Sequence, residues 1–156
     1  MSNKKLREEF DDIDLGIISL LQRDSRLSFN KIASELGIST GTAYNRVKIL
    51  EERNILIGYS AIIDSLKLGF NMTAIVLIQA EGTHLAEVEK EIAAKEGVVS
   101  VYDITGDYDV AVLIRFKDTN GLNRFVKNLL ATPHIKRTVT NVVLNVIKED
   151  FRMKLL

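Results

Sequence analysis

The residues best suited to bind other molecules fall in two short stretches of this sequence. The first, residues 39–49, combines small, hydroxyl, amide and cationic side chains at helical spacing, and such groups can bond to base edges and phosphates of double-stranded DNA. The second is Gly106-Asp107-Tyr108-Asp109, in which turn-forming residues carry two carboxylates. Acids and exposed backbone groups of such a turn could hold a small zwitterion, such as a free amino acid.

The first stretch lies on the third of three predicted helices. Ala43, Val47 and Leu50 recur on one face of this helix, and the helix before it ends at Gly37. Two helices joined by a short turn that contains glycine form the layout of a helix-turn-helix. An ordinary three-helix packing unit with a solvated polar face fits the pattern equally well. If the unit binds DNA, the predicted contact residues are Asn30, Ser39, Thr40, Thr42, Tyr44, Asn45, Arg46 and Lys48.

Within that set, the residue types predict different roles. Thr42 and Asn45 are placed near base edges, because hydroxyl and amide groups can pair with them. Arg46 and Lys48 are placed near phosphates. Between Arg23 and Lys48 the chain carries five cations and two acids, so a local positive sector exists within a neutral total.

The second half of the chain predicts alternating strands and helices. Strands are predicted at 73–80, 98–105, 110–116 and 135–148, with helices near 85–92 and 122–130. This βαββαβ order is that of a ferredoxin-like unit. Residues 55–64 are rich in β-branched side chains and predict a linking strand or hairpin. The sequence therefore predicts an α+β protein with a helix-turn-helix domain at 1–54, a link at 55–64 and a ferredoxin-like domain at 65–156.

Composition excludes several classes of protein. The 156 residues hold 21 Lys and Arg against 21 Asp and Glu, which excludes a long basic or acidic tail. Cysteine is absent, so thiolate metal sites and cysteine nucleophiles are excluded. The longest apolar run has five residues, and the first ten residues lack the apolar stretch of a signal peptide. We therefore expect a cytoplasmic protein with no membrane partner.

Nothing in the sequence predicts catalysis. Asp107 and Asp109 are not interpreted as an acid/base pair, because on pattern alone an ordinary hairpin turn is the favoured interpretation of this stretch. His84 and His134 each lie at the boundary of an element, without His or Cys at metal-ligand spacing, and are predicted to be surface residues. We expect no catalytic residue, no metal and no cofactor. A small ferredoxin-like enzyme is the least favoured function.

Several stretches of the chain, in order, resemble a known family of regulators. They are Asp12-Ile13-Asp14, Leu20-Leu21-Gln22, Arg26, residues 32–39, residues 46–51, residues 55–59 and Gly106-Asp107-Tyr108-Asp109. Together they resemble the Lrp/AsnC (leucine-responsive/asparagine regulator, feast/famine) family of transcription factors over about residues 8–150. Two positions depart from the family pattern: Asn54 stands where glycine is usual, and Gly41 is uncommon in the recognition helix.

The resemblance implies a (winged) helix-turn-helix followed by a ferredoxin-like, RAM-type domain. It implies a sequence-specific transcription regulator that responds to an amino acid bound between dimers. The expected assembly is a homodimer that forms tetramers or octamers, with sheets packed face to face through Ile75, Leu77, Val112, Ile114 and Val143 or their alternates. A DNA-packaging protein without a ligand is the alternative.

In the family the turn and the last strand line the effector site, and Thr138 and Thr140 match its Thr-x-Thr positions. Tyr102 and Arg124 are added for expected proximity. The predicted ligand-binding residues are Tyr102, Gly106, Asp107, Tyr108, Asp109, Arg124, Thr138 and Thr140.

Overall fold

The chain forms two compact units. The computed structural model describes residues 10–155. The first ten residues, for which no signal peptide is predicted, lie almost wholly outside this range. One unit contains residues 10–62 together with 149–155, and the other contains residues 63–148. The last described residues, 149–155, cluster with the helical unit, and the predicted bounds of the second domain, 65–156, stay a prediction.

The first unit has three helices around a small apolar core. They are α1 (Asp12–Arg23), α2 (Phe29–Leu36) and α3 (Thr40–Glu52). Each helix buries one stripe of apolar side chains, as the 3.6-residue period predicts. The buried apolar residues are Phe10, Ile17, Leu20, Leu21, Ile32, Ala33, Ala43, Val47 and Leu50.

Local side chains set the ends of these helices. Asp11 caps α1 by accepting from the backbone N–H of Asp14, whose carboxylate accepts in return from the N–H of Asp11. Ser39 caps α3. Gly37 has a left-handed backbone conformation, with φ of 67°, which confirms the predicted end of α2. Asn54, which follows α3 where the family usually has glycine, is also left-handed, with φ of 55°.

Residues 55–71 contain neither helix nor strand. The prediction of a strand or hairpin at 55–64, and with it of a wing, is therefore wrong for the single chain. A strand needs a neighbouring strand to bond its N–H and C=O groups, and within the described residues this segment has none. Most of its apolar residues are instead exposed, with Ile57 at 89% and Ile62 at 80%, whereas Leu56 packs against the helical core.

The second unit has the predicted βαββαβ order. Its elements are β1 (Met72–Ala80), a 3₁₀ turn (Gly82–His84), α4 (Leu85–Ala93), β2 (Val98–Asp103), β3 (Val110–Phe116), α5 (Thr119–Leu130) and β4 (Ile135–Val142). The strands lie in the order β2-β3-β1-β4, and every neighbouring pair is antiparallel. No helix within residues 10–155 is long and apolar enough to cross a membrane.

The sheet buries one face under its helices. Ala74, Val76 and Ile78 of β1 lie in the core with Val112 and Ile114 of β3, and the core also contains side chains of α4 and α5. The other face carries Ile75 and Leu77, whose registered partners are Leu113 and Ala111 of β3 and Asn141 and Val139 of β4. The set predicted to lie between sheets thus combines two faces, since Val112 and Ile114 are on the helix side.

The last strand is shorter than predicted. It ends at Val142 rather than Lys148, because β1 begins at Met72 and residues beyond Val143 have no strand beside them. The apolar residues that follow are exposed, with Leu144 at 89% and Ile147 at 92%.

Gly97 holds the entry to β2 in a conformation that other residues rarely adopt. Its φ is +82°, and an added Cβ would lie 2.3 Å from the Phe116 ring. We expect Gly97→Ala to lower the free energy of unfolding by about 1–3 kcal/mol, because it adds backbone strain and overpacking. Denaturant titration measures the change.

Gly82→Ala is the matched control. A Cβ at Gly82 meets nothing within 4 Å, and its φ lies outside the left-handed range. We expect no loss of stability from this variant. Equal destabilisation by the two substitutions would contradict the role assigned to Gly97.

Candidate functional site

Helix α3 divides cleanly into a buried and an exposed side. Ala43, Val47 and Leu50 are almost fully buried. The exposed side presents a hydroxyl, a glycine, a phenol, an amide and a cation. These residues are Thr40, Gly41, Tyr44, Asn45 and Lys48.

The hydroxyl groups at the start of α3 hold the turn between α2 and α3. Ser39 Oγ accepts from the Thr42 backbone N–H at 3.0 Å and lies 2.8 Å from Thr42 Oγ1. Thr40 Oγ1 donates to Asn30 Oδ1 at 2.9 Å. These four residues therefore fix the geometry of the turn, and their contact with DNA stays a prediction.

Two residues give the exposed side its shape. The Tyr44 ring packs edge-on against Phe29, with centroids 5.4 Å apart, and remains 48% exposed. A Cβ at Gly41 would meet only Ser39 Oγ, at 3.9 Å. Packing within the unit therefore does not require glycine at position 41, and the absence of a side chain lets another molecule approach the helix closely.

Arg46 forms ion pairs within the helical unit, and the phosphate contact predicted for it stays a prediction. Its Nη1 donates to both carboxylate oxygens of Asp14 at 3.1 Å, and its Nη2 lies 2.8 Å from Asp11 Oδ2. Asp14 is only 8% exposed. The pKa of Arg46 is raised, first by the charge of Asp14, and the pKa of Asp11 is lowered, first by the hydrogen bond from the Asp14 N–H. Arg46 thus joins α3 to the start of α1.

Ion pairs reduce the positive sector that the sequence predicts. Lys31 pairs with Glu35 at 2.8 Å, Arg26 with Asp24 at 3.3 Å, and Lys48 with Glu52 at 3.7 Å. The Lys48 pair is long and exposed, so its ammonium group can exchange partners at little cost. Lys48 is therefore the cation on α3 best placed to contact a phosphate.

The turn between β2 and β3 is anchored at both ends. Asp109 accepts from Ile104 N–H through its carbonyl, donates its own N–H to the Ile78 carbonyl, and accepts from Ala80 N–H through its carboxylate. Asp109 is thus bonded within the fold, a structural use that the sequence did not reveal. Gly106 and Asp107 are exposed, and Gly106 has a φ of 123°.

The register places Thr138 near this turn. Val110, Ile78 and Thr138 form one row across β3, β1 and β4, and neighbouring strands are about 4.8 Å apart, so the outer two backbones lie about 10 Å apart. Thr138 and Thr140 share a face of β4, as predicted, and are half-buried. Tyr102 is 51% exposed near the end of β2.

The structure does not bring Arg124 to this turn. Arg124 lines a depression with Lys95, Phe116 and Asn128, at the end of β3 opposite the turn. The expected proximity of Arg124 to the other candidates is therefore wrong. Helix α5 begins just after that end of β3, and Arg124 lies in its second turn. Arg124 therefore stays near the end of β3 that is far from the turn.

The two histidines lie together, which the sequence analysis missed. The His84 and His134 rings stack with centroids 3.6 Å apart, and His134 Nδ1 lies 2.9 Å from Glu81 Oε2. The residues are fifty positions apart, so spacing could not reveal the pair. The only local signal was the short separation of Glu81, His84 and Glu87.

Two family models match consecutive parts of the chain. Residues 10–51 match the AsnC-type helix-turn-helix domain, and residues 73–153 match the Lrp/AsnC ligand binding domain. The first match contains the three helices except the last residue of α3, and the second contains the sheet except the first residue of β1.

Named relatives match over nearly their full length. An uncharacterized HTH-type transcriptional regulator of Pyrococcus furiosus is 43% identical over 94% of this chain and 99% of its own. The HTH-type transcriptional regulator FL11 of Pyrococcus abyssi is 34% identical over 92% and 95%. These relatives are named as regulators of transcription rather than as enzymes.

Solved structures show the same fold. The leucine response regulatory protein of Mycobacterium tuberculosis superposes with a TM-score of 0.83 at 26% identity, covering 94% of this chain and 100% of its own. A transcriptional regulator from Neisseria meningitidis in complex with L-Met has a TM-score of 0.85 at 23% identity, covering 94% and 97%.

The two cations of α3 are expected to respond differently to mutation. Arg46→Met leaves the nearly buried Asp14 without its cation, and we expect it to lower the free energy of unfolding by about 1–2 kcal/mol, less than for a fully buried pair. Lys48→Met, the matched control, removes an exposed pair and should change it by less than about 0.5 kcal/mol. Equal effects in denaturant titrations would contradict the structural role of Arg46.

Proposed function

The chain belongs to the Lrp/AsnC family of DNA-binding transcriptional regulators, and from that premise we propose that an amino acid controls its binding to specific DNA sequences. Helix α3 enters the major groove. The amino acid binds at residues 106–108 and Thr138, between neighbouring dimers. The observation that carries the proposal is the division of α3 into a buried apolar side and an exposed side with Asn45 and Lys48.

Sequence reading is assigned to the amide of Asn45. An Asn side chain can bond through two atoms to adenine in the major groove, and each such pair discriminates by about 1–3 kcal/mol. Gly41, one turn earlier, leaves room for the DNA to approach. Lys48, one turn later, contacts a phosphate and positions the helix without reading sequence.

The distribution of charge supports binding to DNA by several linked helix-turn-helix units at once, each of which is called a head below. The positive sector of the helical unit is largely paired with acids, so nonspecific attraction to DNA is modest. Affinity then comes from base contacts and from linked heads, which convert later binding steps into intramolecular ones. A dimer places two recognition helices about 34 Å apart, or at multiples of that distance.

Exposed apolar surface supports self-association. Ile57, Ile62, Leu144 and Ile147 are 80–92% exposed, and these residues lie in segments without strand partners. A second copy would cover them and supply the missing strand for residues 55–64. The open face of the sheet, with Ile75 at 42% exposure, provides a further surface for dimers and larger assemblies.

The proposed amino-acid site uses exposed groups of the turn rather than the carboxylate that is bonded within the sheet. The carboxylate of Asp109 is engaged by Ala80, whereas Asp107 is exposed and suits an ammonium group. Backbone N–H groups of the turn and the Thr138 hydroxyl suit a carboxylate. The Neisseria meningitidis regulator with bound L-Met shares this fold. The ligand acts by stabilising one assembly state over another.

The DNA contact is tested with Asn45→Ala combined with Lys48→Ala. We expect this double variant to bind a duplex, enriched from random-sequence DNA by the wild-type protein, about 10–100-fold more weakly. The slope of log K against log[salt] should also become shallower by about one, because one phosphate contact is lost. Fluorescence anisotropy titrations at several salt concentrations measure both.

The matched control changes the same residue types on α5. Lys127 and Asn128 are exposed, and Lys127→Ala with Asn128→Ala should leave DNA affinity unchanged. Wild-type affinity of the α3 double variant, or equal loss in both, would contradict the groove assignment.

The ligand is tested by thermal unfolding with each of the twenty amino acids. We expect at least one to raise the melting temperature, because a ligand that binds only the folded state stabilises it. Calorimetry with that amino acid should then show binding lost in Asp107→Ala and in Thr138→Ala. DNA binding without ligand should be unaffected.

Asp103→Ala, an exposed carboxylate four residues earlier, is the control and should bind the amino acid normally. No response to any amino acid would favour the DNA-packaging alternative. Normal binding by both site variants would place the pocket elsewhere.

A further inference from the structure

Three side chains with metal-binding groups meet at one end of the sheet. Glu81 follows β1, His84 ends the 3₁₀ turn, and His134 precedes β4. One ligand atom from each can be chosen so that all three lie within 4.8 Å of one another. This cluster plays no part in the proposed contacts with DNA or with the amino acid.

The backbone holds the three residues together. Glu81 N–H donates to the His134 carbonyl at 2.9 Å, and His84 N–H donates to the Glu81 carbonyl at 2.9 Å. His134 has a φ of 66°, a left-handed conformation that is costly for a residue with a Cβ. The fold thus maintains the cluster despite local strain.

The donor atoms are of the types that borderline transition ions prefer. Two imidazoles and one carboxylate form a common three-residue zinc site, with the fourth position open to water. The hydrogen bond between His134 Nδ1 and Glu81 Oε2, at 2.9 Å, already holds two of the three donor groups side by side.

A fourth residue supports the orientation of His84. His84 Nδ1 lies 3.3 Å from Glu87 Oε2, and a carboxylate that accepts the Nδ1 proton leaves the lone pair on Nε2. Histidines that bind metals commonly donate their other N–H to such a carboxylate. Lys136 is close enough to interact electrostatically with Glu81, and its positive charge would repel a bound cation.

Closing the site requires small movements of side chains. A tetrahedral Zn²⁺ with bonds of about 2.0–2.1 Å holds its ligand atoms about 3.4 Å apart. The stacked rings are nearly parallel, at 9°, so one must tilt for the two lone pairs to converge. The His84 side chain is 39% exposed and the His134 side chain is 34% exposed, which leaves room for that tilt.

We propose that Glu81, His84 and His134 form a binding site for a divalent transition ion of the Zn²⁺ class. The ion would tie the end of β1 to the start of β4 and to the 3₁₀ turn. Ala80, the residue before Glu81, donates its N–H to Asp109 of the turn between β2 and β3. The metal site and the proposed amino-acid site therefore share the end of β1, although neither requires the other.

The test is calorimetric titration of the full, untagged chain with Zn²⁺ at pH 7.5, and with Mg²⁺ as a hard-cation control. We expect one Zn²⁺ per chain and no binding of Mg²⁺. His84→Ala, His134→Ala and Glu81→Gln should each weaken Zn²⁺ binding at least about 10–100-fold. Lowering the pH to 5.5 should also weaken it, since protonated imidazoles cannot bind the ion.

Glu96→Gln is the matched control, because Glu96 is an exposed carboxylate outside the cluster, and it should bind Zn²⁺ as the wild type does. Circular dichroism without metal checks that each variant folds. If a histidine variant fails to fold, Glu81→Gln still tests the site, because it keeps the size of the side chain. The visible spectrum of bound Co²⁺ should lose its intensity in the same variants. Absence of Zn²⁺ binding, or wild-type affinity in all folded cluster variants, would overturn the site.

Discussion

The sheet of the second unit is covered by helices on one face only, and much else in the molecule depends on this. Strands alternate their side chains, so a sheet with apolar residues on both faces needs two covers. Here Val76 and Ile78 are packed under helices, whereas Ile75 on the other face is exposed. The same incompleteness marks residues 55–71 and 144–148, which have no strand beside them within residues 10–155. These surfaces give a second copy of the chain a physical reason to bind.

The helical unit meets a related constraint at α3. One side of this helix must be buried to hold the unit together, and the other must stay polar for DNA. Arg46 sits at the boundary and is engaged by Asp14 and Asp11 of the α1 region. The ion pairs of Arg46 thus hold the orientation of α3 at the boundary between its two sides, while Val47 and Leu50 hold it by packing in the core. The Asn45 amide and the Lys48 ammonium, which forms only a long pair with Glu52, then remain on the exposed side of α3.

Sequence reasoning succeeded where structure depends on residues close in the chain. The helix end predicted at Gly37 depends on one residue type, and the predicted buried face of α3 depends on the local 3.6-residue period. It failed where a residue's role is set by a distant partner: Arg46 pairs with Asp14 across thirty-two positions, and His84 stacks on His134 across fifty. The strand predicted at 55–64 failed for the same reason, because pairing is decided by a neighbour and not by β propensity.

The anchoring of the turn at 106–109 bears on how a ligand could regulate the protein. Asp109 bonds to Ile104, Ile78 and Ala80, so both ends of the turn are ordered before any ligand arrives. A ligand that met only this turn would find the same surface in every assembly state, and it could shift no equilibrium. Under the proposed function, regulation would therefore require part of the site to come from another chain, so that the complete site exists in one assembly state only. The exposed residues between the anchors, Gly106 and Asp107, are the ones left to face such a neighbour.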